Sequence, residues 1–198
     1  MFLARLRLNR GRIAVGWADN PYRVHQRLMM AYEGEPRLLF RIEEQPEGVQ
    51  ILIQSHGEPR WPAAFDGFPV LAGPPEYKAF TPRLQAGRRY RFRLLANPTV
   101  KRDGKRLGLL REEEQLSWLA RKLAAGGAEV LSCRAAPRGL QRSGRNPFKD
   151  AARQTHLAVL FEGLLQAQDA ARLEAALESG IGSAKGFGFG LLSLAPAG

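Results

Sequence analysis

Arginine and apolar residues alternate in two places in this chain. At the start, Phe2, Ala4, Leu6 and Leu8 alternate with Leu3, Arg5, Arg7 and Asn9; later, Tyr90, Phe92, Leu94 and Ala96 alternate with Arg89, Arg91, Arg93 and Leu95. A period of two with one apolar and one basic face marks a β-strand buried on one side. Each alternation also opens a similar series of elements, so the chain reads as two sheets built in succession.

In the first series, Asn9–Asp19 contains Gly11 and Gly16 and reads as a loop leading to a helix over Asn20–Tyr32. Asn20 can accept a hydrogen bond from an orphan amide of the first turn, and Pro21 fills the first helical position without wasting a donor. Gly34 and Pro36 end that helix. Leu38–Glu43 and Val49–Ser55 are β-rich and joined across Gln45–Gly48, which predicts a hairpin. Gly57–Pro82 is rich in proline, glycine and aromatics, and little regular structure is assigned there. It stands where a second helix would complete a βαββαβ unit.

The second series begins with the strand at Tyr90–Ala96, broken by Asn97 and Pro98. Lys101, Arg102, Lys105 and Arg106 surround an Asp103-Gly104 turn whose second arm, Leu107–Leu110, is expected to extend the strand pairing. Glu112–Glu114 open a helix striped by Leu116, Leu119, Ala120 and Leu123 and stopped by Gly126 and Gly127. Strands follow at Ala128–Cys133 and His156–Leu165, then a helix at Ala170–Glu178 opened by Asp169, and a last strand at Phe187–Leu194. The expected fold is α+β, with tandem ferredoxin-like (RRM-like) βαββαβ domains over residues 1–84 and 85–198.

The formal net charge of +11 points to a polyanionic partner, since phosphate neutralisation supplies affinity and opposite charge steers encounter. Nucleic acid is the leading candidate. No apolar run approaches the roughly 20 residues of a spanning helix, so no membrane partner is expected. Met1–Asn9 does not read as a secretory signal, and a cytoplasmic location is expected. Cys133 is the single cysteine, and His25, His56 and His156 lie in unrelated local contexts. No disulfide, metal site or cofactor is therefore expected.

Three places carry candidate chemistry. Counting about 100° per residue on the first helix, Val24, Leu28 and Ala31 share the inward face, while Tyr22, His25 and Met29 share its flank. Tyr22 and His25, three residues apart, can reach one small volume beside a helix start whose amides favour phosphate. Imidazole titrates near neutrality, so His25 can donate or accept a proton there. By themselves these two residues fit an exposed helix histidine beside a half-buried tyrosine better than a reactive pair. The second place is a cationic stretch, Arg134, Arg138, Arg142, Arg145, Lys149 and Arg153, with Asp150 its one acid. Pro137, Gly139, Gly144 and Pro147 make it a mobile loop or hairpin, suited to tracking RNA phosphates. The third is Gly180–Gly190. Lys185 is followed by Gly186 where a phosphate-loop ATPase has serine or threonine, so nucleotide hydrolysis is rejected. As a strand, Gly186, Gly188 and Gly190 would leave one face bare for a close approach while Phe187, Phe189 and Leu191 pack on the other. Gly182, Lys185, Gly186 and Gly188 therefore join the candidate RNA-binding set.

The spacing Gly180, Ile181, Gly182, five residues, Gly188, Phe189, Gly190 fits the glycine pattern that closes proteins of the RAMP superfamily, the repeat-associated RNA-binding proteins of CRISPR systems. With the order of elements, the Asn20, Pro21, Tyr22 and His25 helix start and the basic arm, nearly the whole chain resembles the CasE family, CRISPR RNA-processing endoribonucleases of the type I-E Cascade complex. The resemblance implies metal-independent cutting of precursor RNA beside a repeat hairpin. The ribose 2′-hydroxyl would attack the adjacent phosphate to leave a 2′,3′-cyclic phosphate and a 5′-hydroxyl. It makes His25 the catalytic histidine, as acid or base, and Tyr22 its helper, and it names the repeat hairpin and other Cascade subunits as partners. A non-catalytic RNA-binding subunit of the same superfamily is the alternative, because fold and charge do not establish catalysis.

Overall fold

The computed structural model describes residues 1–34, 37–143 and 154–197, which fall into two compact units. The first comprises Met1–Thr81 together with Lys185–Gly188; the second comprises Pro82–Gln141, Thr155–Ala184 and the chain from Phe189 onward.

The first unit runs β1 (Phe2–Arg7), α1 (Arg12–Ala18), α2 (Pro21–Met29), β2 (Leu38–Gln45), β3 (Gly48–Ser55), α3 (Trp61–Phe65) and β4 (Glu76–Ala79). Its sheet has the order β2-β3-β1-β4 with antiparallel neighbours throughout. The alternation of β1 sends Ala4 and Leu6 inward, where they join Phe40, Ile51 and Ile53 from the sheet and Val24 and Leu28 from α2 in one core. Arg5 and Arg7 point outward, and both pair with Glu76 of β4. Arg5 stands directly opposite Glu76, so this charge pairing holds the short edge strand in register.

Two segments of this unit differ from the sequence expectation. Residues 12–18 form a helix where a loop was expected, because Ala14, Trp17 and Ala18 recur at helical spacing and are buried. The expected structureless stretch 57–82 supplies α3 and the fourth strand. All four residues of β4 are exposed, so it has no apolar alternation to reveal it.

The second unit runs β5 (Arg89–Ala96), β6 (Thr99–Arg102), β7 (Lys105–Gly108), α4 (Glu112–Ala125), β8 (Ala128–Ser143), β9 (Gln154–Ala167), α5 (Ala170–Ser179) and β10 (Leu192–Pro196). Its sheet order, β10-β5-β9-β8, repeats that of the first unit when strands are counted from β5 without the β6 and β7 pair. Both units thus have the ferredoxin-like strand order. The expected helix signals hold: the Asp169 carboxylate accepts a hydrogen bond from the Arg172 amide at 3.0 Å, and α4 ends at Gly126. The β6 and β7 pair forms its own ribbon, closed by Asp103 and Gly104 with φ of 48° and 77°, and does not extend the main sheet.

Two corrections follow in this unit. The strand expected to stop at Cys133 continues to Ser143, so of the loop and the hairpin expected for the basic stretch, Arg134 and Arg138 fit the hairpin, on a strand paired with β9. Pro137 is tolerated because β8 is the edge of its sheet. The strand expected at Phe187–Leu194 begins only at Leu192. Gly188 and Gly190 have φ of 84° and 90°, outside the β region, and residues 185–187 coil into a 3-10 turn instead of presenting a bare strand face.

Candidate active site

The site is built on α2. Asn20 accepts the Arg23 amide at 3.4 Å and Pro21 occupies the first turn, so the helix begins where the sequence places its start. Val24 and Leu28 are fully buried, which fixes the rotation of the helix about its axis. That rotation leaves Tyr22 and His25 half-buried on the flank, on the same side of α2.

The 3-10 turn Lys185–Phe187 and the following Gly188 belong to the same unit and meet this flank. The Phe187 ring stacks on Tyr22 with centroids 5.8 Å apart and planes at 29°. A Cβ on residue 186 would stand 3.4 Å from His25 Cδ2 and 3.5 Å from its Nε2, in ordinary contact, so the turn lies close enough to the imidazole to leave room for one carbon. Gly188 adopts its positive φ with its α-carbon against Phe40, where a Cβ would lie 3.3 Å from the ring. Phe40 in turn lies parallel to the His25 ring, at 8° with centroids 6.0 Å apart. The tyrosine and the histidine are therefore each held by an aromatic side chain and by the glycine-rich turn.

Burial pushes the His25 pKa below its ordinary value of 6.5, so the imidazole is neutral at pH 7. Its Nδ1 is buried and makes no hydrogen bond among the described residues, which leaves Nε2 as the nitrogen placed to exchange a proton with a ligand. Cys133 is the one thiol, and burial raises its pKa to about 11, so it is protonated and unreactive at neutral pH. Among the described residues, no group of three or more His, Cys, Asp or Glu side chains is placed to hold a metal ion. No described helix is long and apolar enough to cross a membrane.

Of the other candidate residues, Lys185 and Gly186 sit in the turn beside α2, and Gly188 follows them. Gly182 lies in the second unit, where a Cβ would come within 3.1 Å of Trp118, so the structure gives it a packing role. Arg134 and Arg138 are exposed and four residues apart on β8. Arg145, Lys149 and Arg153 lie outside the described residues, as does the side chain of Arg142. Two features escaped sequence reasoning. Phe40 and Phe187 brace the site, and only the position of Phe187 between two glycines hinted at it. The exposed β6–β7 ribbon carries Lys101, Arg102, Lys105 and Arg106, a basic turn already visible in the sequence but left out of the candidate RNA-binding residues.

Residues 1–196 match the model of a family described as CRISPR associated protein. The chain is 36% identical to the CRISPR-associated endoribonuclease Cse3 of Thermus thermophilus, across 99% of this chain and 100% of that protein. It is 35% identical to the CRISPR system Cascade subunit CasE of Escherichia coli, across 93% of this chain and 96% of that one. Among solved structures, CRISPR endoribonuclease Cse3 bound to a 19-nucleotide RNA superposes with a TM-score of 0.87 at 35% identity, covering 99% of this chain and 100% of the other. With the whole fold and nearly the whole sequence matched, the chain belongs to the CRISPR-associated protein family that includes Cse3 and CasE.

Proposed function

We propose that this protein is an endoribonuclease that processes CRISPR precursor RNA, cutting beside a repeat hairpin without a metal ion. The observation that carries the reading is the convergence of Tyr22, His25 and the Lys185–Gly188 turn on one flank of α2, in a chain matched end to end by an RNA-bound endoribonuclease.

In the reaction, a ribose 2′-oxygen forms a bond to the adjacent phosphorus and the bond from phosphorus to the 5′-oxygen breaks. The products are a 2′,3′-cyclic phosphate and a 5′-hydroxyl. A neutral imidazole with Nε2 available is in the base form, which suits His25 to take the 2′-hydroxyl proton; once protonated, it can return a proton to the departing 5′-oxygen. Tyr22 donates its phenolic hydrogen bond to a phosphate oxygen and orients it. Lys185, at the start of the turn, adds positive charge where negative charge builds on the phosphate. Arg134, Arg138 and the cations of the β6–β7 ribbon contact the RNA backbone, which fixes position without reading sequence. Other subunits of a Cascade complex are the expected protein partners, as the name of the CasE relative indicates.

The test is cleavage of a labelled repeat RNA in excess chelator, with the new ends identified. Cutting at the parental rate, with a cyclic phosphate on one product and a 5′-hydroxyl on the other, is expected. Loss of cutting in chelator, restored by magnesium, would overturn the mechanism.

A further inference from the structure

On the other side of α2 the first unit carries an open groove of about 660 Å³. Arg12, Ile13 and Gly16 line it from α1, and Arg23, Gln26 and Met30 line it from α2. Trp17 and Phe68 close it, their rings edge to face at 5.5 Å. Arg27 completes the lining, with its guanidinium 4.2 Å over the Phe68 ring and its Nη1 donating to the Ala64 carbonyl at 3.1 Å. That arginine is held in place before any ligand arrives. Among the described residues no acid lines the groove, and Ile13 and Met30 expose 62% and 51% of their surface beside the three cations.

Gly16 sharpens the reading. A glycine inside a helix costs stability relative to alanine, and here a Cβ would meet nothing within 4 Å, so no packing demands it. Because it lines the groove, a long side chain at this position would occupy it, whereas a single added carbon would not. Around α2 the groove and the candidate active site are neighbours, with Gln26 of the groove next to Tyr22. At about 100° per residue, Gln26 stands on α2 between Tyr22 and the side that carries Met30, Arg23 and Arg27. A strand that crosses Tyr22 around this side of the helix meets Gln26 before the arginines.

We propose that this groove binds the single-stranded nucleotides next to the scissile phosphate, a proposal that rests on the endoribonuclease reading. The arginines face the phosphates, and a base lies against Ile13, Met30 and Phe68. A cationic groove with an apolar and aromatic wall is how single strands are held without reading their sequence. A polyanion satisfies three arginines with no acid among them, which favours RNA over a protein segment.

The experiment measures binding of the full chain to two repeat RNAs that carry a 2′-deoxy nucleotide at the attacking position, so that affinity is read without cutting. One RNA keeps its single-stranded flank; the other is trimmed to one nucleotide beyond the scissile phosphate. The parental protein is expected to bind the flanked RNA about tenfold tighter, with a steeper salt dependence. Replacing Arg12 and Arg23 together with alanine, or Gly16→Glu alone, should erase that advantage and leave affinity for the trimmed RNA unchanged. Gly16→Ala, which improves the helix without filling the groove, should keep it and serves as the folding control. Equal parental affinity for both RNAs would overturn the proposal, as would variants that weaken both RNAs alike. Variants that keep the advantage but lose a partner subunit would overturn it too, and would assign the groove to a protein. The nuclease reading is judged separately, on the all-ribose RNAs. A parental protein that cuts neither but shows the flank advantage supports the groove and sinks the nuclease reading, whereas cutting without a flank advantage does the reverse.

Discussion

Gly186 leaves open the space beside the His25 imidazole: a Cβ at that position would stand 3.4 Å from Cδ2 and 3.5 Å from Nε2. One added carbon is therefore in ordinary contact, and a branched side chain is not. Gly186→Ala should cut within a few-fold of the parental rate. Gly186→Val should displace the ring, and a misplacement of about 1 Å is enough to cost roughly 100-fold in rate. Single-turnover cleavage of a repeat RNA checks both, and equal rates for the alanine and valine variants would show that the turn does not position His25.

Burial lowers the pKa of both His25 and His156 below 6.5. Between the folded and unfolded values the unfolded chain binds more protons, so stability rises with pH in that window. The contribution is fully present above about pH 7 and is lost as pH falls through the folded pKa values. Denaturant midpoints should be flat on the alkaline side and drop below pH 6.5. His25→Gln should shrink the drop. A midpoint that rises on acidification would contradict the assignment of neutral, buried imidazoles.

The pairing of β8 with β9 depends on a glycine. A Cβ on residue 163 would lie 2.0 Å from the Ser132 carbonyl oxygen and 2.9 Å from the Cys133 α-carbon. Both are backbone atoms that cannot swing away. Gly163→Ala should cost on the order of 3 kcal/mol as the strands are forced apart, at the upper end of what overpacking costs. Gly73→Ala is the control, since a Cβ there meets nothing within 4 Å and the change should stay within about 0.5 kcal/mol. Denaturant unfolding of the two variants checks the contrast.

What could be read from the sequence was what neighbouring residues decide among themselves. Asn20 and Pro21 start α2, and the spacing of Val24 and Leu28 turns Tyr22 and His25 to one flank; the structure has both. The strand patterns of β1 and β5 also persist, because each buries one face. The failures have local causes. Gly11 and Gly16 made α1 look like a loop, although Trp17 and its buried neighbours form a helical stripe. The exposed residues of β4 left no pattern, and Pro137 and Gly139 read as breakers on an edge strand that tolerates them. The meeting of Gly186 with His25 and of Phe187 with Tyr22 is tertiary. No local spacing encodes it, and only the family's glycine pattern pointed to that segment.

On the proposed mechanism His25 carries chemistry and little binding. It lies off the buried Val24 and Leu28 face, so His25→Ala should fold. A general acid or base contributes about 100- to 10,000-fold, while affinity in a phosphate-dominated interface is spread over many contacts. The deciding measurement is single-turnover cleavage of a labelled repeat RNA by the parental protein and by His25→Ala, with a binding titration on the same molecule. The variant is expected to bind the hairpin as the parent does and to lose at least about 100-fold in cutting rate. A variant that cuts at the parental rate would contradict it, and a parental protein that binds the hairpin but never cuts would leave a non-catalytic RNA-binding subunit in its place.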